Sequence, residues 1–384
     1  MAVPDVHELV PAAKEFGRKP EEIKLRHKDT VEPGWYPYPT FANIAVLDQL
    51  LKGENRKLAR LVGDRPVLDM GAGDGDLAFL FESFGATVHA IDHPAINYNR
   101  MTGLHTLKKA LGSSIDIQTL DLDTQFALAE QVYGVVFLFG VLYHLKNPFY
   151  VLEALARYSE YCLMSTRIAR VSGDGQIRIE SLPVAYLVAE RETNNDPTNY
   201  WIFTEPGLRR LLDRAGWEVM EFMTTGCKSD SDPVSAGRDE RAFCLLRSRT
   251  TDFTRDLQLG DGWYEMEHNI WRWTQKSFSL TIGKPVGSGT LEVTFFFFLP
   301  ELIFEKVRHV TVSASVNGVA LEKHVYRSPG QQTYSEKIPA PALRHDRLQI
   351  QFKVDEAFSF GEDPRELGVL VNFNVRCPIA LSLS

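Results

Sequence analysis

Cysteine is scarce in this sequence: four among 384 residues, Cys162, Cys227, Cys244 and Cys377. They form neither a CxxC pair nor a mixed Cys/His cluster, so reduced, mostly buried thiols are expected rather than a zinc site or a disulfide scaffold. No metal is expected. Long apolar runs are also missing. Residues 1–16 carry Asp5, Glu8 and Glu15 and lack an apolar stretch of signal-peptide length, and the mostly apolar run 295–304 is about half a membrane span. A soluble cytoplasmic protein with no membrane partner follows as an expectation. Positive charge is not in excess either. With 42 Lys+Arg against 50 Asp+Glu the net charge is -8, which argues against a broad basic surface, so nucleic acid is not the default partner. Long repeats and low-complexity tracts are absent.

What is present is ordinary core-forming material, 44% hydrophobic and 24% charged, in a chain longer than one typical domain. Strand-like and helix-like segments alternate from about residue 66 to 247, the pattern of a mostly parallel sheet covered by helices. Short apolar runs predict strands at 67–70, 87–91, 116–120 and 135–139, and the sheet should continue through 161–166. A helix is expected over 75–84. Two more, over 148–158 and 205–215, each place three apolar residues on one face, with Gly216 stopping the second. The last two strands of this domain are expected at 218–222 and 242–246, separated by a polar loop over 224–238. Beyond about residue 252 the pattern changes to β-branched and aromatic runs at 278–282, 290–297, 310–316, 347–354 and 367–375, with the Asn317-Gly318 hairpin signature among the turns. The expected architecture is an N-terminal cap over 1–55, an α/β domain over 56–250, and an all-β antiparallel sandwich, jelly-roll-like, over 251–384.

The most informative stretch is Asp69-Met70-Gly71-Ala72-Gly73-Asp74-Gly75, at the junction of the first strand and helix. Glycine there lets the backbone turn sharply and approach a ligand with no Cβ in the way. Asp92 follows about 20 residues later, at the end of the next strand, where a carboxylate can accept hydrogen bonds from ribose hydroxyls. The blander reading is a tight turn and a helix-capping acid. Glycines at alternating positions differ from the G-x-G-x-x-G dinucleotide fingerprint.

This motif resembles the signature of class I S-adenosylmethionine-dependent methyltransferases, and the resemblance extends over roughly residues 66–247. It implies a Rossmann-like fold and S-adenosylmethionine as cofactor. The turn, with Asp69, Gly71, Ala72 and Gly73, would face the methionine portion, Asp92 and its neighbour His93 the ribose, and Asp121 and Leu122 the adenine. Gly140 and Tyr143 would form the cofactor-facing end of the fourth strand. Phe139-Gly140-Val141-Leu142-Tyr143-His144-Leu145, followed by Asn147-Pro148, is similar to a segment of the tRNA wobble-uridine (5-oxyacetate-forming) methyltransferases, a family that can use a carboxylated form of the cofactor. Asn195-Asp196-Pro197-Thr198-Asn199-Tyr200-Trp201 is similar to a segment of their bacterial relatives. Arg238 and Arg241 are loose candidates for the arginine that holds such a carboxylate, so the form of the cofactor stays open.

Methyl transfer from a sulfonium needs positioning, and a base only if the acceptor must be deprotonated. His144, with Tyr143 beside it, is the most economical catalytic candidate for a hydroxyl acceptor; the alternative is a packed aromatic and a capping histidine. The polar stretch 190–201 suits a substrate-facing loop, with Asn195, Tyr200 and Trp201 as substrate-binding candidates, or else an ordered connection held by its own Asn and Asp side chains. Trp35, Tyr36 and Tyr38 either stack on a ligand or pack on the domain. In the second domain, Gly262-Trp263-Tyr264-Glu265, Trp271-Arg272-Trp273-Thr274 and Asp363-Pro364-Arg365-Glu366-Leu367-Gly368 resemble a β-sandwich module found beside bacterial glycan-biosynthesis proteins. Its aromatics either stack on sugars or fill the core. The leading expectation is O-methylation of a small-molecule or glycan-related acceptor. The alternatives are a tRNA wobble-uridine methyl or carboxymethyl transferase and a non-catalytic scaffold.

Overall fold

The computed structural model describes residues 3–124, 126, 128, 132–251, 257–268, 270–284, 290–359, 363–372 and 378–383. The chain divides into two units, Met1–Thr251 and Asp252–Ser384.

The first unit opens with helices that the sequence pattern did not suggest: α1 (Val6–Arg26), α2 (Ala42–Leu50) and α3 (Leu58–Val62). Pro11 and Pro20 lie inside α1 and remove two backbone donors, yet Val6, Leu9, Ala13, Ile23 and Pro20 itself are buried along one side. Tertiary burial of that face overrides the local cost of proline. Then follow β1 (Val67–Met70), α4 (Asp76–Ser83), β2 (Val88–Asp92), α5 (Thr102–Leu111), β3 (Asp116–Thr119), β4 (Tyr133–Phe139), α6 (Pro148–Tyr158) and β5 (Ser159–Ile168). These strands pair in parallel in the order β3-β2-β1-β4-β5. β1 and β5 are buried along their whole length, as expected of parallel strands covered on both faces.

Beyond β5 the polar stretch expected to be irregular is bracketed by two short strands, β6 (Ala185–Leu187) and β7 (Trp201–Phe203), which pair with each other. A single parallel pairing, Ile168 with Phe203, fastens β7 to β5. After α7 (Glu205–Arg214) come β8 (Trp217–Gly226) and β9 (Glu240–Ser248), both longer than the apolar pattern indicated. β9 runs antiparallel to β5 and to β8, so the sheet is mixed. One apolar cluster, including Leu68, Val136, Leu138, Leu152, Leu155, Met164, Leu208 and Trp217, unites sheet and helices. No helix among the described residues is long and apolar enough to cross a membrane.

The second unit is antiparallel. It contains β10 (Gln258–Leu259), β11 (Trp271–Trp273), β12 (Ser277–Gly283), β13 (Leu291–Leu299), the one-turn α8 (Glu301–Phe304), β14 (Val310–Val316), β15 (Val319–Ala320), β16 (His324–Tyr326), β17 (Gly330–Lys337), β18 (Arg347–Val354), β19 (Leu370–Asn372) and β20 (Ile379–Leu383). One sheet runs β10-β12-β18-β14-β15, the other β11-β19-β13-β17, with β20 also on β13. Their inner faces share a core in which Phe295 stands 4.5 Å from Phe352 and 5.6 Å from Phe278, ring centre to ring centre. Asn317 and Gly318, both at positive φ, make the expected tight turn between β14 and β15. Of the run expected at 367–375, residues 373–375 lie outside the described residues, as does Cys377. Trp263 packs against the core and its indole donates to the Ser279 carbonyl at 2.7 Å, whereas Trp271 and Trp273 are half-buried on β11.

Candidate functional site

The carboxyl ends of parallel strands are where an open α/β sheet binds ligands, and a cavity of about 390 Å³ opens there. Its floor is the end of β1 with Asp69, Met70, Gly71, Ala72 and Gly73. Gly71 and Gly73 have φ of 76° and 61°, the left-handed region that a side chain strains to enter. A Cβ on Gly71 would also run into the Val141 side chain. The turn's amides are already engaged: Gly71 and Ala72 donate to the Ile91 carbonyl, and Gly73 donates to Asp92 Oδ2 at 2.8 Å. The wall therefore offers close-approaching backbone rather than free N–H donors.

The roof comes from the N-terminal segment. Tyr36 and Tyr38 line the cavity, their rings 5.4 Å apart edge to face, and the Tyr36 ring stands over Gly73. The Tyr36 amide donates to Asp74 Oδ2 (2.8 Å), and the Trp35 indole donates to the Lys24 carbonyl (3.0 Å) at the end of α1. Burial pushes the Tyr36 hydroxyl up to about 12, with Tyr143 and Tyr38 adding to the shift, so it stays protonated. Trp35 thus anchors the segment, and its two tyrosines face the cavity. Asn43 and Val46 of α2 extend the same wall.

A 3-10 turn, Leu142–His144, brings Tyr143 and His144 to the same cavity, their rings 4.4 Å apart. Arg241 reaches in from β9, beside Thr225 of β8 and Phe243. Its guanidinium pairs with Asp239 (3.1 Å) and lies 3.4 Å from the Tyr143 hydroxyl. Burial would lower its pKa, but Tyr143 and Asp239 outweigh burial and hold it firmly protonated. Burial pulls the His144 imidazole below its usual range, with Asp196 opposing, so the neutral ring is favoured. Asn194, Asp196 and Asn199 line the cavity as well.

Thus Asp69, Gly71, Ala72, Gly73, Tyr143 and His144 converge on one cavity. Asp92 sits just behind the turn at the tip of β2, 9% exposed, and accepts from Gly73 N, Asn97 Nδ2 and the His93 amide at 2.7–2.8 Å. His93 itself is half-buried in the turn that follows. Asp121, Leu122 and Gly140 are off the cavity wall. The Leu122 side chain belongs to the domain core, Asp121 caps its own turn by accepting from the Asp123 amide, and the Gly140 amide donates to the Ser165 carbonyl. The loop contributes Asn194, Asp196 and Asn199 rather than Asn195, Tyr200 and Trp201. The Trp201 indole donates to the Lys146 carbonyl, and the Lys146 ammonium stands 5.7 Å from the Tyr200 ring centre, so these aromatics are engaged at the loop base. The Tyr200 amide in turn donates to the Tyr143 carbonyl at 2.8 Å. Asn43, Val46, Thr225 and Phe243 carried no sequence signal, because only long-range packing brings α2, β8 and β9 to this edge.

The donor set fits S-adenosylmethionine. Asp69 Oδ2 is buried without a hydrogen-bond partner among the described residues, an acceptor in want of a donor such as the cofactor's ammonium.

Residues 45–221 match the family model described as a methyltransferase domain. No curated protein matches the chain. Among solved structures, the N-terminal domain of EvdMO1 with SAH bound is 18% identical at a TM-score of 0.39, over 62% of this chain and 97% of that one. Full EvdMO1 is 11% identical at 0.40, over 87% and 97%. An S-adenosylmethionine-dependent methyltransferase from Clostridium acetobutylicum is 9% identical at 0.34, over 50% and 87%. The N-terminal unit thus combines a doubly wound sheet, a glycine turn at its ligand-binding edge and, over residues 45–221, a match to the methyltransferase-domain model.

Proposed function

We propose that this domain O-methylates a small-molecule or glycan-related hydroxyl, with His144 as general base. The observation that carries the reading is a single cavity lined by the glycine turn, Asp69 and His144 together. Its volume lies in the range of small-molecule pockets, roughly 300–1,000 Å³.

S-adenosylmethionine, when bound, supplies an already activated methyl group. The chain's own residues do the rest. Asp69 holds the ammonium, and Gly71 and Gly73 let the backbone lie against the methionine portion. Asp92 holds the ribose; three of the roughly four acceptor positions of its carboxylate are filled, leaving one for a hydroxyl. Tyr36 and Tyr38 exclude water and present aromatic rings to a cation. Tyr143 and Arg241 orient the acceptor, and His144, neutral near pH 7, takes the hydroxyl proton as the oxygen attacks.

Calorimetry with S-adenosylmethionine tests the binding half of the reading, and a methyl-transfer screen over hydroxyl-bearing sugars, nucleotide sugars, phenols and tRNA tests the acceptor. Once an acceptor is found, His144→Ala should lower turnover on the order of 10²–10⁴-fold and leave cofactor affinity nearly unchanged, because a general base acts in the transition state. Transfer to tRNA alone would overturn the small-molecule assignment, and full turnover by the variant would remove His144 as base.

A further inference from the structure

The loop between β6 and β7 does more than close one side of the cavity. His144 Nδ1 lies 2.9 Å from Thr198 Oγ1 and 3.2 Å from the Thr198 carbonyl oxygen. A carbonyl oxygen can only accept, so Nδ1 must carry the proton. The hydroxyl agrees, since Thr198 Oγ1 gives its own proton to Asp196 Oδ1 at 2.6 Å and is left as an acceptor toward the ring. No described residue hydrogen-bonds Nε2. We propose that Asp196 and Thr198 are positioning residues that fix His144 as its Nδ1–H tautomer, leaving Nε2 as the basic nitrogen. The proposal rests on the reading of His144 as general base.

An Asx turn alone would account for Asp196 Oδ1 accepting from the Thr198 amide at 2.8 Å. It would not place both oxygens of Thr198 on one imidazole nitrogen. The loop is held for that task. Asn194 and Asn195 take left-handed φ of 55° and 53°, the buried Asn199 donates to the Thr193 carbonyl, Thr193 Oγ1 donates to the Pro233 carbonyl, and the Tyr200 amide donates to Tyr143's own carbonyl. The same backbone that carries the ring is therefore bonded to the loop that orients it. A base needs one nitrogen protonated and held so that the other can receive a proton in a fixed direction. Among the described residues, three charged or titratable groups face this ring. Asp196, with Oδ2 at 4.0 Å from Nδ1, favours the imidazolium, Arg241 opposes it, and Tyr143 packs on its face.

Nitrogen-15 NMR of histidine-labelled full-length protein, with His144 assigned from a His144→Gln sample, reads the tautomer directly and needs no acceptor. The expected result is an Nδ1–H ring in the parent. In Thr198→Val the ratio of Nδ1–H to Nε2–H should fall by about three- to tenfold, the equivalent of one neutral hydrogen bond, and Thr198→Ser should restore it. Asp196→Asn should move the ring's titration to lower pH, since the charge that favours the imidazolium is gone. With an acceptor in hand, Thr198→Val should lower kcat without raising the KM for S-adenosylmethionine, and the acidic limb of the Asp196→Asn profile should follow the NMR titration. An Nε2–H ring in the parent, or a tautomer and titration indifferent to both variants, overturns the relay even if His144→Ala is inactive. Full turnover by His144→Ala with an Nδ1–H ring overturns instead the base reading, and with it the relay's catalytic purpose.

Discussion

Asp69 is buried at the end of β1, and burial, reinforced by the nearby Asp92, raises its carboxyl pKa to about 7. A carboxyl whose folded pKa lies above its unfolded value of about 4 is neutral in both states at low pH, and subtracts stability as pH climbs through that interval. Asp69→Asn should therefore stabilise the ligand-free protein at pH 8, on the order of 1–3 kcal/mol after allowing for the amide's own unpaired N–H. The gain should vanish near pH 4. Thermal melts at the two pH values check this, and an equal shift at both would refute the stored cost. The same change should weaken S-adenosylmethionine binding at least about tenfold by removing the ammonium's counter-charge. Asp92 is different, because its oxygens are already well supplied with donors. A folded Asp92→Ala variant should lose roughly 1–3 kcal/mol of cofactor affinity by calorimetry; unchanged affinity would sink the ribose placement.

α1 acts on the site through one side chain. Lys24 pairs with Asp76 at 2.8 Å, lies 3.5 Å from Asp74, and stands 5.7 Å from the Trp35 ring centre, so it ties the N-terminal helix to the start of α4 and to the roof segment. Burial raises the Asp76 pKa and Lys24 works against that rise. In Lys24→Met the Asp76 charge stands unpaired, and stability should fall by about 1–3 kcal/mol at pH 8. The loss should shrink as pH drops toward 4 and the carboxyl protonates. Urea titrations at pH 8 and pH 4.5 measure the difference, and an equal loss at both would show that only packing is involved. α1 was illegible in the sequence because its two prolines break the local helix signal and only contacts with α2, α4 and α5 make the segment helical. β1, β2 and β4 were legible because each is a short, mostly apolar run, β3 because it continues the strand-helix alternation, and the glycine turn because strand, turn, helix and acid follow in fixed order. β6 and β7 were not, since three residues carry no periodicity and their pairing is decided at a distance. The same reason hid Thr225 and Phe243, and it hid which members of the 190–201 stretch face the cavity.

At the scale of the chain, the two units keep separate cores, one centred on Leu138 and Met164, the other on Phe295 and Phe352. A protein ending at residue 251 should fold and bind S-adenosylmethionine within about twofold of the full chain, since every cavity-lining residue precedes that point. A truncated protein that folds but does not bind would make the two units one functional body. The strand order of the second unit carries a consequence for synthesis. β13 sits between β17 and β20, and β20 ends at Leu383. The first unit is complete once residue 251 leaves the ribosome, but the second cannot close the sheet around Phe295 and Phe297 until more than a hundred further residues have emerged. At synthesis rates of about 5–20 residues per second that lag is on the order of ten seconds. During it a nascent chain carries a finished cofactor cavity at its front and, behind it, aromatic strands still waiting for a partner, which is the interval in which a chaperone has most to do.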